Sequence, residues 1–209
     1  MKVLFYGDSI TDAGRNYGML HGEEAMGYGY VKYAVAGLKE RGLTDEDLIN
    51  RGISGNRIVD LYARIKLDCW NHQPDFVSIL IGVNDVWHEL EIQNGVELDR
   101  FEKMYRILIE DTKKVLPNVK IMLCEPFILE GAATSSRMEQ FLEVYKYAAV
   151  VKKLAEEYGL YFLPLQEKLS QAAANGVENL LADGVHPAEG GAKLIASEWL
   201  KKFDEMQNA

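Results

Sequence analysis

Lys2-Val3-Leu4-Phe5-Tyr6-Gly7-Asp8-Ser9-Ile10-Thr11 opens the chain with an apolar run that stops at a glycine, an acid and a serine. Val3 to Tyr6 show no polar alternation, the pattern of a strand covered on both faces. Gly7 permits a tight turn, and Asp8 and Ser9 suit a helix cap or turn. One lysine before a short apolar run also suggests a signal peptide, but the run is too short and Asp8 interrupts it before any small-residue cleavage site. The segment reads as a buried first strand, and a cytoplasmic protein is expected.

Working outward, the same kind of run recurs. Strands are predicted at Lys2–Tyr6, Asp47–Asn50, Phe76–Ile81, Val119–Cys124 and Leu160–Leu163. Helical patterns lie between them at Gly29–Arg41, Ile58–Trp70, Leu98–Leu116, Met138–Tyr158 and Ala188–Met206. Arg41-Gly42, Leu116-Pro117-Asn118 and Tyr158-Gly159 are stop signals. Strand and helix alternate from end to end, which implies an α/β fold: a parallel sheet with helices on both faces and right-handed crossovers. The expectation is one three-layer α/β/α domain over residues 1–209, with a flavodoxin-like five-stranded sheet in the order 2-1-3-4-5. Two irregular stretches, Asp12–Tyr28 and Phe127–Arg137, each follow a strand and so belong to the end of the sheet where such folds build their sites.

The 209 residues are 48% hydrophobic and 26% charged, with a net charge of -9. No Lys/Arg cluster tracks phosphates, and like charge opposes approach to nucleic acid or an anionic membrane, so neither is expected as a partner. No run is long and apolar enough for a membrane span. The two cysteines, Cys69 and Cys124, stand in no metal-ligand spacing and read as free buried thiols.

Four segments follow the predicted strands. Gly7-Asp8-Ser9 would set a hydroxyl at the sheet's rim. Gly52-Ile53-Ser54-Gly55-Asn56 precedes a helix, where N–H groups point outward unpaired. Gly82-Val83-Asn84-Asp85 would aim an amide into the cleft, or form an Asx-turn or cap. Asp183-Gly184-Val185-His186-Pro187 places a carboxylate three residues before an imidazole, close enough to fix its tautomer. Each segment alone also fits a plain turn; their joint placement at one end of one sheet points to acyl-transfer chemistry. Of the other histidines, His21 sits in the Gly-rich loop, His72 precedes Gln73-Pro74, and His88 follows Asn84, where a surface role is preferred.

These four segments resemble the signature blocks of the SGNH (GDSL-type) hydrolases, named for their Ser, Gly, Asn and His. By that resemblance the nucleophile is Ser9, the glycine Gly55, the asparagine Asn84, and the Asp-x-x-His pair Asp183 and His186. The oxyanion hole it implies is the N–H of Ser9, the N–H of Gly55 and the side chain of Asn84. Leu4–Asp12, Gly52–Asn56 and Gly82–Trp87 are further similar to bacterial acetyl xylan esterases and related carbohydrate deacetylases. Some of those carry a Trp just before the Asp of the pair, where this chain has Ala182.

The resemblance implies a serine esterase acting on short acyl groups, O-acetyl groups on sugars first among them, with no metal or organic cofactor. A homo-oligomer is left open. Trp87, Tyr17, Tyr28 and Tyr30 offer stacking faces, although core packing is preferred for Tyr28 and Tyr30. Three alternatives stand beside this reading. Ser54 is a second serine in a near-miss of G-x-S-x-G, with Asn56 in the last position. Thioesterase or lysophospholipase activity is related acyl chemistry. A flavodoxin-like binding module would have no catalysis at all.

Overall fold

The computed structural model describes residues 1–208. Five strands, β1 (Val3–Gly7), β2 (Leu48–Gly52), β3 (Phe76–Leu80), β4 (Lys120–Cys124) and β5 (Tyr161–Leu163), form one sheet in the order β2-β1-β3-β4-β5. Every pairing is parallel, as the alternation of elements predicts. Gly7 pairs with Gly52 on one side and Leu80 on the other. The three strands therefore end level, and the segments that leave them emerge side by side.

Nine helices flank the sheet among the described residues: α1 (Ser9–Asp12), α2 (Tyr30–Glu40), α3 (Ile58–Asp68), α4 (Val83–Ile92), α5 (Leu98–Val115), α6 (Met138–Phe141), α7 (Val144–Tyr158), α8 (Gln166–Ala174) and α9 (Glu189–Gln207). Successive β1 side chains point to opposite faces, and both faces are packed. Phe5 meets Tyr30 of α2 and Trp199 of α9, with ring centroids 6.1 and 4.9 Å apart. Tyr6 turns the other way and donates its hydroxyl hydrogen bond to the Leu61 carbonyl of α3 at 2.6 Å. Trp199 anchors the first face: it stacks on Phe203 and its indole N–H reaches Ser78 Oγ of β3 at 2.8 Å.

The structure departs from the sequence expectation in several places. Strand and helix ends shift by one or two residues. The helix expected over Met138–Tyr158 is two pieces, α6 and α7, separated at Leu142-Glu143. Three helices were not expected: α1, α4 and α8. The stretch 12–28 is irregular apart from a turn at Glu23–Met26, and 127–137 apart from one at Ser135–Arg137. Tyr30 is buried as expected, but Tyr28 is 72% exposed. Cys69 and Cys124 are free and buried. Among the described residues no helix is long and apolar enough to cross a membrane.

Candidate active site

Gly7 decides how the first segment leaves the sheet. A Cβ there would lie 2.4 Å from Thr11 Oγ1 and 2.5 Å from the Leu80 carbonyl oxygen. Only glycine lets α1 fold straight back over the strand end. Asp8 caps that turn, accepting the Ile10 N–H at 3.0 Å. Ser9 stands at its first position, where backbone N–H groups have no partner within the turn.

The Ser9 hydroxyl lies 2.8 Å from Nε2 of His186. The other ring nitrogen, Nδ1, is 2.7 Å from Asp183 Oδ2. The second oxygen of Asp183 accepts the N–H groups of Val185 and His186 at 2.9 and 2.8 Å. The 127–137 stretch braces this turn from behind: Leu129 N–H bonds the Gly184 carbonyl at 2.8 Å and Ala133 N–H that of Asp183 at 2.9 Å. Trp87 flanks the imidazole, with ring centroids 5.9 Å apart, and is itself held edge-on by Phe141.

Three acids lie close to this centre, and their environments differ. Burial pushes Asp8 up to about 7 and Asp85 up to about 8, outweighing the backbone hydrogen bonds that each accepts. Burial also raises Asp183, but the hydrogen bonds from the His186 N–H, the His186 ring and the Val185 N–H outweigh it and hold the carboxyl below its ordinary range. Asp183 is thus the acid kept anionic against the imidazole.

Gly55 sits at φ +80° in the loop after β2. Its neighbours' N–H groups are spent: that of Ser54 goes to Asp12 Oδ2 at 3.0 Å and that of Asn56 to the Ile53 carbonyl at 3.2 Å. Among the described residues the Gly55 N–H donates to nothing. Asn84 occupies the first turn of α4 and gives one of its two amide hydrogens to the Asn56 carbonyl at 3.0 Å, leaving the other free. The fold therefore brings together Ser9, His186 and Asp183, and sets Gly55 and Asn84 on the segments that leave the neighbouring strands β2 and β3. Ser54 is placed otherwise: its hydroxyl is bound to Asp12 Oδ2 at 2.6 Å, away from any histidine partner. His88 corrects the surface reading, since it is half-buried with its ring facing Gly55.

Two residues at the site escape sequence reading. Asp12 accepts from Ser54 N–H, Ser54 Oγ and Tyr17 Oη, and so ties α1 to the Gly55 loop. Arg64, on α3, donates to the Gly7 carbonyl at 3.0 Å, the Arg51 carbonyl at 2.8 Å and Asn56 Oδ1 at 2.6 Å. One guanidinium thus spans the ends of β1 and β2 and the residue that holds Asn84. Arg64→Ala should lower kcat by about 10²-fold with little change in KM, the cost of loosening a reacting geometry by an ångström. Arg64→Lys should not restore it, because an ammonium cannot fork between the same acceptors. Steady-state kinetics of both variants checks this; a loss confined to KM would contradict it.

The model of the GDSL-like lipase/acylhydrolase family matches residues 5–194. The chain belongs to that family. This GDSL-type hydrolase is 36% identical to an acetylxylan esterase of Geobacillus stearothermophilus, over 97% of this chain and 93% of that one. The crystal structure of that species' Axe2, an acetylxylan esterase, superposes with a TM-score of 0.82 at 36% identity, covering 96% of this chain and 93% of the other. Solved catalytic mutants of Axe2 replace a serine, an aspartate and a histidine, the last two three positions apart. A Parabacteroides merdae protein described as a GDSL-like lipase gives a TM-score of 0.88 at 37% identity, over 97% of this GDSL hydrolase and 94% of that chain.

Proposed function

We propose that this protein is a serine esterase that removes short acyl groups, acetyl above all, from carbohydrate hydroxyls. The observation that carries the chemistry is the continuous chain of contacts from Ser9 Oγ through the His186 ring to Asp183, at 2.8 and 2.7 Å. The substrate class follows from the similarity to acetylxylan esterase.

In this reading His186 Nε2 takes the proton of Ser9 as its oxygen attacks the ester carbonyl. The negative oxygen of the tetrahedral intermediate is held by the N–H of Ser9, the N–H of Gly55 and the free amide hydrogen of Asn84. The intermediate collapses, the alcohol leaves with the proton from His186, and the acyl group stays on Ser9. Water then attacks the acyl-enzyme, giving its proton to His186, which returns it to Ser9 as the acid departs. Asp183 keeps Nδ1 protonated and Nε2 free, and it stabilises the imidazolium without taking a proton.

The direct test is a fluorophosphonate reagent followed by peptide mass mapping, alongside deacetylation of acetylated xylo-oligosaccharides. A covalent adduct on Ser9 and release of acetate are expected; an adduct on Ser54 or none at all would refute the assignment. Asn84→Ala should lower kcat by about 10²–10³-fold, the usual cost of one oxyanion donor. Kinetics on a soluble acetate ester checks this, and full activity in that variant would remove Asn84 from the hole.

A further inference from the structure

Tyr28 is a large aromatic side chain that the fold spends effort to expose. It is 72% solvent-accessible, yet its backbone is fixed: its N–H bonds the Ala13 carbonyl at 2.9 Å. Gly27, at φ +74°, lies so close to the 12–13 backbone that a Cβ would come within 2.4 Å of the Asp12 carbonyl oxygen. Gly14, at φ +71°, lies under the ring itself, where a Cβ would meet Tyr28 Cε1 at 2.6 Å. The turn is pinned at both points and the ring rests on bare backbone. An aromatic surface in water is unfavourable to maintain, and here it is held in one place rather than tucked into the core.

What it faces is the cleft. The roughly 290 Å³ hollow beside the nucleophile is lined by Ser9, Ala13, Tyr28, Ser54, His186 and Pro187 among others, whereas Gly55 and Asn84 do not line it. The hollow thus opens beside the imidazole, with Gly55 and Asn84 outside its lining. His186 must hand its proton to the departing oxygen, so the departing group belongs on the imidazole side. A ring face next to hydroxyl-bearing walls suits a molecule with an apolar face and polar edges, which describes a sugar ring.

We infer that the Tyr28 hollow is the leaving-group subsite, where a carbohydrate ring stacks on Tyr28 while the small acyl group points away from it. This rests on the esterase reading above and adds to it which half of the ester each wall receives.

Three substrates separate the possibilities: methyl acetate, methyl butyrate and an acetylated xylo-oligosaccharide. In Tyr28→Ala the ratio of kcat/KM for the sugar acetate to that for methyl acetate should fall about tenfold, through KM, as expected for losing one aromatic contact. Tyr28→Phe should keep the ratio, since the ring face survives. The butyrate-to-acetate ratio should stay put in both. An unchanged sugar-to-methyl ratio in Tyr28→Ala overturns the subsite, and a shift toward butyrate overturns the orientation by making Tyr28 an acyl wall. Failure of the underlying reading looks different: a wild-type protein inert to all three esters refutes the esterase, and one that cleaves only the methyl esters refutes the carbohydrate substrate.

Discussion

Ser9→Ala is expected to lower kcat by about 10⁶-fold while leaving the fold intact, the scale on which a serine nucleophile and its base act as one unit. The hydroxyl meets only Nε2 of His186 among the described residues, so its removal frees no buried partner and should not destabilise the chain. Because the two groups work together, the double variant Ser9→Ala/His186→Ala should be no slower than either single one beyond a few-fold. Active-site titration and single-turnover kinetics on an acetate ester check this. A residual rate above a few per cent of wild type would point to another nucleophile, with Ser54 the first to examine.

Asp183→Asn is the second large effect, and the more informative about mechanism. One oxygen of Asp183 holds the Val185 and His186 N–H groups, and the amide oxygen of Asn can keep both bonds. The other oxygen faces Nδ1, where Asn would place an NH₂ donor. The imidazole must then accept at Nδ1 and carry its proton on Nε2, where it cannot take one from Ser9. A loss in kcat of about 10⁴-fold is expected with the turn unchanged. Turnover measured beside thermal unfolding separates the two effects. A decrease under tenfold would mean that Asp183 contributes shape and not charge.

The sheet was legible because its strands are short apolar runs with no polar alternation; the segments that follow them each fit a plain turn and were legible only through their joint placement at one end of the sheet and their resemblance to four signature blocks. Helix α4 was hidden by its own motif. Val83, Val86, Trp87 and Leu90 recur at helical spacing, but Asn84 and Asp85 within the same stretch read as a turn. Helix α8 buries only Leu169, so it offers no periodic stripe to find. No Gly or Pro marks the break at Leu142-Glu143. Arg64 was beyond reach for another reason: its role depends on which strand ends lie side by side, and that is a property of sheet order rather than of neighbouring residues. Tyr28 was expected in the core, although Gly27 and Gly29 on either side are consistent with a tight turn.

The Ser9–His186 contact joins residues 177 positions apart. One partner stands at the start of α1, just past the first strand, and the other on the turn that leads into α9, which packs back against α2. Competence is therefore owned by the chain as a whole. On the proposed mechanism, an intermediate that lacks either β1 or the turn before α9 has no Ser9–His186 contact and cannot cleave an ester by that route.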